Sequence, residues 1–310
     1  MQSDTSCEPD RIVLSDGRAL AYALYGTPSG APLYFFHGFP GCRLQAALVH
    51  EQARQAGVCL VAMDRPGFGR STFAPARTII DWPRDIAALA DRLGHKRFGV
   101  LGVSCGGAYA LASAHELPER ILYVGLLAGI GPMDIPELQQ GQSAILKRMF
   151  ALARIHPMLI APLLLADLIA FRMNPLRAVD ALATLMTLPD QRILTANALA
   201  HAQFGASLKE AYRQGLRGAM HEAHLISRKR EFLLENIALP VHVYQGGFDR
   251  NVPPVMGRHI AQQLPNGRLH FYADEGHLSL VINKFGDCLR HFFQDADSLE
   301  PKSDQITTVS

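Results

Sequence analysis

The sequence predicts an α/β fold: a mostly parallel sheet with helices on both faces, an N-terminal antiparallel hairpin and a helical insertion late in the chain. Three observations carry this. Short uninterrupted apolar runs alternate with longer helical segments, the pattern of strands buried on both faces and joined by crossover helices. Ahead of them, two β-rich runs at 12–14 and 19–25 flank Ser15-Asp16-Gly17-Arg18, a turn signal between apolar segments. From about 134 to 236 the alternation stops, and several apolar-periodic helical stretches follow one another with no convincing strand.

Taken in order after the hairpin, the strands are read at 33–36, 58–63, 98–103, 121–127, 241–245 and 269–272. Between and after them lie helical segments near 44–56, 81–93, 105–116, 255–264 and 278–293. Gly129-Ile130-Gly131-Pro132 and Leu239-Pro240 punctuate the two edges of the insertion. The expected organisation is therefore a core over 11–133 and 237–295, a helical cap over 134–236, a flexible N-terminus over 1–10 and a disordered tail over 296–310.

Composition narrows the function classes. A chain of 310 residues buries one substantial core, with room for an insertion. Its 30 basic and 28 acidic residues are dispersed, which argues against nucleic acid as a partner. The richest basic cluster, Arg228-Lys229-Arg230, runs at once into Glu231 and reads as a solvated helix end. Five widely spaced cysteines without a CxxC pair suggest free thiols in a cytoplasmic protein rather than a disulfide or zinc framework. The polar, acidic start shows no secretory signal pattern. The apolar stretch 158–173 is short of the roughly 20 residues a membrane span needs, and Pro162, Asp167 and Arg172 interrupt it. A small-molecule substrate is the expected partner, with no transmembrane segment, no cofactor and no metal; a homodimer is left open.

The chemistry begins at Gly102-Val103-Ser104-Cys105-Gly106, a G-x-S-x-G that follows the run FGVLGV and opens the helical run AYALASAHEL. A nucleophile on a sharp strand-to-helix turn needs small residues two positions to either side, so that the backbone packs closely while Oγ projects outward. Ser104 has glycine at both positions, whereas Cys105 would have Val103 at one of them. Ser104 is therefore the nucleophile, and Cys105 is assigned to donating its backbone N–H to an oxyanion hole. A helix starting here also aims free N–H groups and a positive dipole end at developing negative charge.

A second donor is expected from His37-Gly38-Phe39-Pro40-Gly41, which follows the early run PLYFF. Pro40 has no N–H, so Phe39 is nominated, and His37 is read as a structural histidine pinning the loop. His277 is the general base: it alone of the 13 histidines occupies a loop between the last strand and the final helix. Its carboxylate partner is Asp249, in the loop after 241–245, which gives the chain order Ser, Asp, His. Asp134, at the insertion's entrance, is the reserve; Asp274 and Glu275 stand too close to His277 in sequence to reach its ring easily from the opposite side.

With FFHGFPG, MDRPGFGRS, LGVSCGGAYALA and the pair QGGFDRNVP and DEGHLSL, the chain resembles the α/β-hydrolase fold superfamily from about residue 12 to 293. It is most similar to bacterial capped serine hydrolases, a group that includes esterases, lactonases and peptidase-like enzymes. The resemblance implies Ser104, Asp249 and His277 as triad, Phe39 and Cys105 as oxyanion donors, and the stretch from Asp64 to Ser71 as a structural loop near the site. The expected activity is cleavage of an ester-type acyl bond through an acyl-enzyme. Alternatives on the same triad are a lactonase, a carbon-carbon bond hydrolase or a cofactor-free perhydrolase; outside catalysis, a small-molecule sensor. Apolar residues of the insertion (Ile145, Met149, Leu152, Leu159, Leu163, Leu164, Leu168, Phe171) suggest a small, largely apolar substrate.

Overall fold

The computed structural model describes residues 10–299. Eight strands form one sheet: β1 (Asp10–Val13), β2 (Ala19–Gly26), β3 (Ala31–Phe36), β4 (Val58–Met63), β5 (Phe98–Val103), β6 (Ile121–Leu127), β7 (Val241–Gly246) and β8 (Gly267–Tyr272), in the order β1-β2-β4-β3-β5-β6-β7-β8. β1 and β2 pair antiparallel, β2 joins β4 antiparallel, and every later pairing is parallel. The uninterrupted apolar runs are the interior strands: β4, β5 and β7 are buried along their whole length.

Alternate residues of each strand feed two cores, the consequence of the two-residue period of a strand. Tyr34, Phe36, Val61, Met63 and Val100 face one side, against α2 (Trp82–Leu93), α3 (Gly106–Glu116) and α10 (Pro254–Gln263). Leu33, Phe35, Leu60, Ala62 and Leu101 face the other, against α1 (His50–Gln55), α11 (Leu278–Asn283) and α12 (Phe285–Leu299). Because β3 and β5 to β8 run parallel, their carboxyl ends share one edge of the sheet, where loops carrying functional groups gather.

Between β6 and β7 the chain is helical throughout, with α4 (Ala144–Ile155), α5 (Ala161–Met173), α6 (Pro175–Ala183), α7 (Leu188–Ala196), α8 (Ala198–Ala211), α9 (Arg217–Ser227) and short 3-10 turns. No helix among the described residues is long and apolar enough to cross a membrane. The 158–173 stretch instead places Leu164, Leu168 and Phe171 of α5 in the core.

Several boundaries differ from the sequence reading. The expected single helix over 278–293 is two, because Lys284 leaves helical geometry between α11 and α12. The expected tail from 296 is also corrected: α12 continues to Leu299, carried by an amphipathic pattern that buries Leu289 and Phe292. Likewise Asp10 belongs to β1, not to a flexible N-terminus. The rest of both terminal expectations, 1–9 and 300–310, lies outside the described residues.

Candidate active site

Ser104 stands at the end of β5 with φ +54°, a left-handed conformation that L-residues adopt at a cost. The turn is held from both directions: the Ser104 amide donates to the Leu127 carbonyl at 2.9 Å, and its own carbonyl accepts from the Ile130 amide at 3.0 Å. The flanking glycines are a packing requirement. A Cβ on Gly102 would collide with the backbone of Gly106 and Gly107, and one on Gly106 would collide with the carbonyls of Phe36 and His37. The spacing that selects Ser104 over Cys105 in the sequence thus has a steric cause. Burial pushes the Cys105 thiol up to about 12, aided by the charge of Glu222, so it stays protonated at neutral pH.

The amides of Phe39 and Cys105 have no hydrogen-bond partner among the described residues, and Cys105 sits at the N-terminus of α3. Gly38 does not compete with Phe39, because its amide donates to Gln45 Oε1 at 2.6 Å. The loop itself is clamped. His37 Nδ1 lies 2.8 Å from the Gly38 carbonyl, while its Nε2 accepts from the Arg65 amide at 3.2 Å. Accepting there assigns the proton to Nδ1, and burial followed by the Arg65 charge keeps the ring neutral, well below its ordinary range. His37 is a pin, with neither nitrogen free for chemistry.

Arg65 completes the clamp from beneath. Its guanidinium donates to the carbonyls of His37 and Gly38 and, at 2.7 Å, to Glu222 of α9. Glu222 also accepts from Arg77 at 2.6 Å and the Tyr109 hydroxyl at 2.7 Å, and it is fully buried. Burial opposes its charge, but Arg65 and Arg77 together hold the carboxyl down to about 2. The carbonyls of His37 and Gly38 are thereby held by Arg65, and that of Gly38 by His37 as well.

The structure brings His277 and Asp249 together. His277 Nδ1 lies 2.7 Å from Asp249 Oδ2, and Asp249 Oδ1 accepts from the amides of Asn251 and Val252 at 2.8 Å each. With Nδ1–H committed to the carboxylate, Nε2 is the free basic nitrogen. Burial works against a charged ring, but the Asp249 charge and hydrogen bond outweigh it, with Asp190 adding to them, and His277 is raised above its ordinary 6.5. The reserve acid Asp134 lies elsewhere, lining a cleft with Arg230 and His259. Glu275 is occupied by Asn283 at 3.0 Å and Lys284 at 3.6 Å. Among the described residues no hydrogen bond joins His277 to Ser104, a contact that commonly tightens only with substrate.

Sequence reasoning missed three residues of the insertion that reach this edge. Asp190 of α7 accepts amides from His277 at 3.1 Å, Leu278 at 2.8 Å and Ser279 at 2.9 Å, thereby capping α11 from a separate helix. Gly276 is what admits it, since a Cβ there would press on Asp190 and Thr187. Glu222 anchors Arg65. Phe150 of α4, buried, packs its ring 6.1 Å from Phe39, which also faces Phe68 at 6.5 Å. The apolar residues picked out in the insertion do not share one face: Met149, Leu164, Leu168 and Phe171 are core, while Ile145, Leu152, Leu159 and Leu163 are exposed. Periodicity marks a buried stripe within one helix but not the direction in which successive helices turn it.

Known proteins match over most of the chain. The family model described as alpha/beta hydrolase fold matches residues 31–284. A poly(3-hydroxyalkanoate) depolymerase of Ectopseudomonas oleovorans is 26% identical over 280 residues, 87% of each chain. A 2-hydroxymuconate semialdehyde hydrolase of Pseudomonas putida is 24% identical over 296 residues, covering 89% of this chain and 92% of that one. The solved structure of a hydrolase from Pseudomonas aeruginosa PA01 superposes with a TM-score of 0.67 at 20% identity, covering 93% of this chain and 99% of its own.

Proposed function

Because the chain belongs to the α/β-hydrolase fold family and is an enzyme of that kind, we propose that it is a serine hydrolase cleaving an ester-type acyl bond of a small, largely apolar substrate. Ser104 Oγ attacks the acyl carbon as His277 Nε2 takes its proton, and Asp249 stabilises the imidazolium formed. The Phe39 and Cys105 amides hold the oxyanion, each contributing about 3 kcal/mol to the transition state. His277 returns the proton to the departing alkoxide. It then deprotonates a water that attacks the acyl-enzyme, releasing the acid and restoring Ser104.

The observation that carries this reading is Ser104 held at positive φ between two sterically required glycines, beside two unpartnered amides and on the sheet edge where Asp249 orients His277. Phe39, the proposed donor, packs against Phe68 and Phe150, and this apolar setting of the loop supports an apolar acyl group. Residues 134–236 are read as a cap over this site, and the four buried free thiols among the described residues fit a cytoplasmic enzyme. Similarity to a hydrolase named for 2-hydroxymuconate semialdehyde supports carbon-carbon bond hydrolysis as the second reading.

A fluorophosphonate probe tests the assignment. Labelling is lost in Ser104→Ala and kept in Cys105→Ala; the reverse pattern overturns it. Turnover of p-nitrophenyl esters of increasing chain length then separates an esterase from a sensor, which shows ligand-induced stabilisation with negligible turnover.

A further inference from the structure

Well away from Ser104, toward the amino-terminal part of β7, three imidazoles meet beneath α12. The register pairs His242 with Arg268 and Tyr244 with His270, so these four side chains share one face of β7 and β8. α12 adds His291 and, one turn later, Asp295. His242 Nδ1 and His270 Nε2 lie 2.9 Å apart, with ring planes inclined by only 3° and centroids 5.1 Å apart. That centroid separation matches the N···N distance plus two ring radii, so the rings lie edge to edge and share a single N–H···N hydrogen bond. His291 lies over both, its centroid 4.6 Å from one and 4.5 Å from the other.

The outer nitrogens are fixed by oxygen. His242 Nε2 stands 3.0 Å from Asp295 Oδ2, and His291 Nδ1 stands 2.8 Å from the Tyr244 hydroxyl, itself 3.0 Å from that of Tyr123. Arg268 stands 3.3 Å from His242 Nε2 with its charge met by Asp295 at 3.2 Å, and the charges of Asp287 and Arg290 also reach the cluster. One nitrogen from each ring lies within 4.8 Å of the others.

We propose that His242, His270 and His291 form a cation site for a borderline divalent metal of the zinc type, with Asp295 and Tyr244 as the outer partners that orient two of the rings. The donor set fits that chemistry. Three imidazoles with no carboxylate among them suit zinc, copper or nickel and not magnesium or calcium. A ligand histidine whose second nitrogen is held by a carboxylate is the usual outer arrangement of such sites.

The His242–His270 pair stands near the spacing a metal demands, while His291 has to turn to join it. Zinc-nitrogen bonds of about 2.0–2.1 Å at a tetrahedral angle need N···N separations of about 3.3–3.4 Å. The 2.9 Å pair opens by a few tenths of an ångström, its shared proton leaving as the cation enters, and rotation of the His291 ring closes the widest separation. His270 and His291 are only half-buried, which leaves room for entry and for a water as fourth ligand. The bound cation would tie α12 to the edge strand β8.

The test is chelator-competition titration of the full-length protein with Zn²⁺, with Co²⁺ absorption as an independent readout. One equivalent is expected to bind at micromolar concentration or tighter, at least 100-fold more weakly in His270→Gln and in His291→Gln, and unchanged in His156→Gln, an exposed residue just after α4. The Co²⁺ complex should show visible d–d bands without a thiolate charge-transfer band, and Zn²⁺ but not Mg²⁺ should raise the unfolding temperature. Absence of a high-affinity equivalent, binding indifferent to both variants, or a thiolate band overturns the proposal. If either variant fails to fold by circular dichroism, the wild-type cobalt spectrum decides.

Discussion

Asp190→Asn tests whether the insertion acts on His277, the proposed general base. Asp190 Oδ1 accepts the amides of Leu278 and Ser279, and Oδ2 accepts the His277 amide and the Thr187 hydroxyl at 2.9 Å. α11 is only six residues long and has no side-chain cap of its own, so this carboxylate supplies its N-terminal acceptors. Asparagine keeps one oxygen but turns an NH₂ toward the donors that the other served. Loss of a cap costs about 1 kcal/mol, and loss of charge-assisted hydrogen bonds raises the total to about 2 kcal/mol. If about 1.4 kcal/mol of that falls on the placement of His277, kcat/KM drops about tenfold. The negative charge of Asp190 also helps to raise His277, so its removal shifts the acid limb of the kcat/KM profile to lower pH. The measurement is kcat/KM against pH on a p-nitrophenyl ester, with thermal unfolding in parallel. A lower unfolding temperature with a pH profile superimposable on wild type would refute the reasoning and leave Asp190 a structural cap only.

Three further outcomes are expected. In the wild-type enzyme the base must be neutral, and since His277 is raised, activity should fall on acidification through a pH above 6.5; a limb at or below 6.5 contradicts the Asp249 pairing. Glu222→Gln leaves Arg65 and Arg77 buried with their charge unmatched, a loss of about 3–5 kcal/mol that calorimetry would read as a fall in unfolding temperature of about 10 °C; retention of the wild-type value would show the network dispensable. Gly106→Ala drives a methyl group into the carbonyls of Phe36 and His37, so soluble protein should lose at least 100-fold in ester turnover through displacement of the oxyanion loop, at a cost of roughly 3 kcal/mol per misplaced donor.

What the sequence made legible is what local physics determines. Strands buried on both faces must be continuously apolar, and β4, β5 and β7 read as such. Gly102 answers to a collision with Gly106 and Gly107, within six residues of chain, so its place is visible before the fold is known, whereas Gly106 answers to Phe36 and His37 of the neighbouring strand's loop and shows in the sequence only through the G-x-S-x-G spacing. Asp249 is harder: its loop can be placed, but the adjacency of β7 and β8 that sets it 2.7 Å from His277 is a property of strand order. Asp190, Glu222 and Phe150 were not legible at all. In RGAMHEAHLIS, Glu222 is an ordinary acid on an amphipathic helix, and only Arg65 and Arg77, more than 140 residues away, make it a buried counter-ion. The same holds for His242, His270 and His291, which come from three elements and carry no spacing signal.

These missed residues bear on how substrate reaches Ser104. The insertion contributes one buried carboxylate to each side of the site, Glu222 through Arg65 to the oxyanion loop and Asp190 to the turn that carries His277. Moving the insertion outward as one body would strand both, and separating a buried ion pair costs about 3–5 kcal/mol before any apolar contact is lost. That cost would lower the open population by a factor of more than 100. α7 and α9 are therefore part of the catalytic scaffold in the energetic sense, although they belong to the insertion by sequence. α5 and α6 carry no such tie to the core loops, and they present Leu163, Leu165, Ile169 and Leu176 to solvent. On the proposed reading of the insertion as a cap, displacement of α5 and α6 leaves the two carboxylate-bearing helices docked.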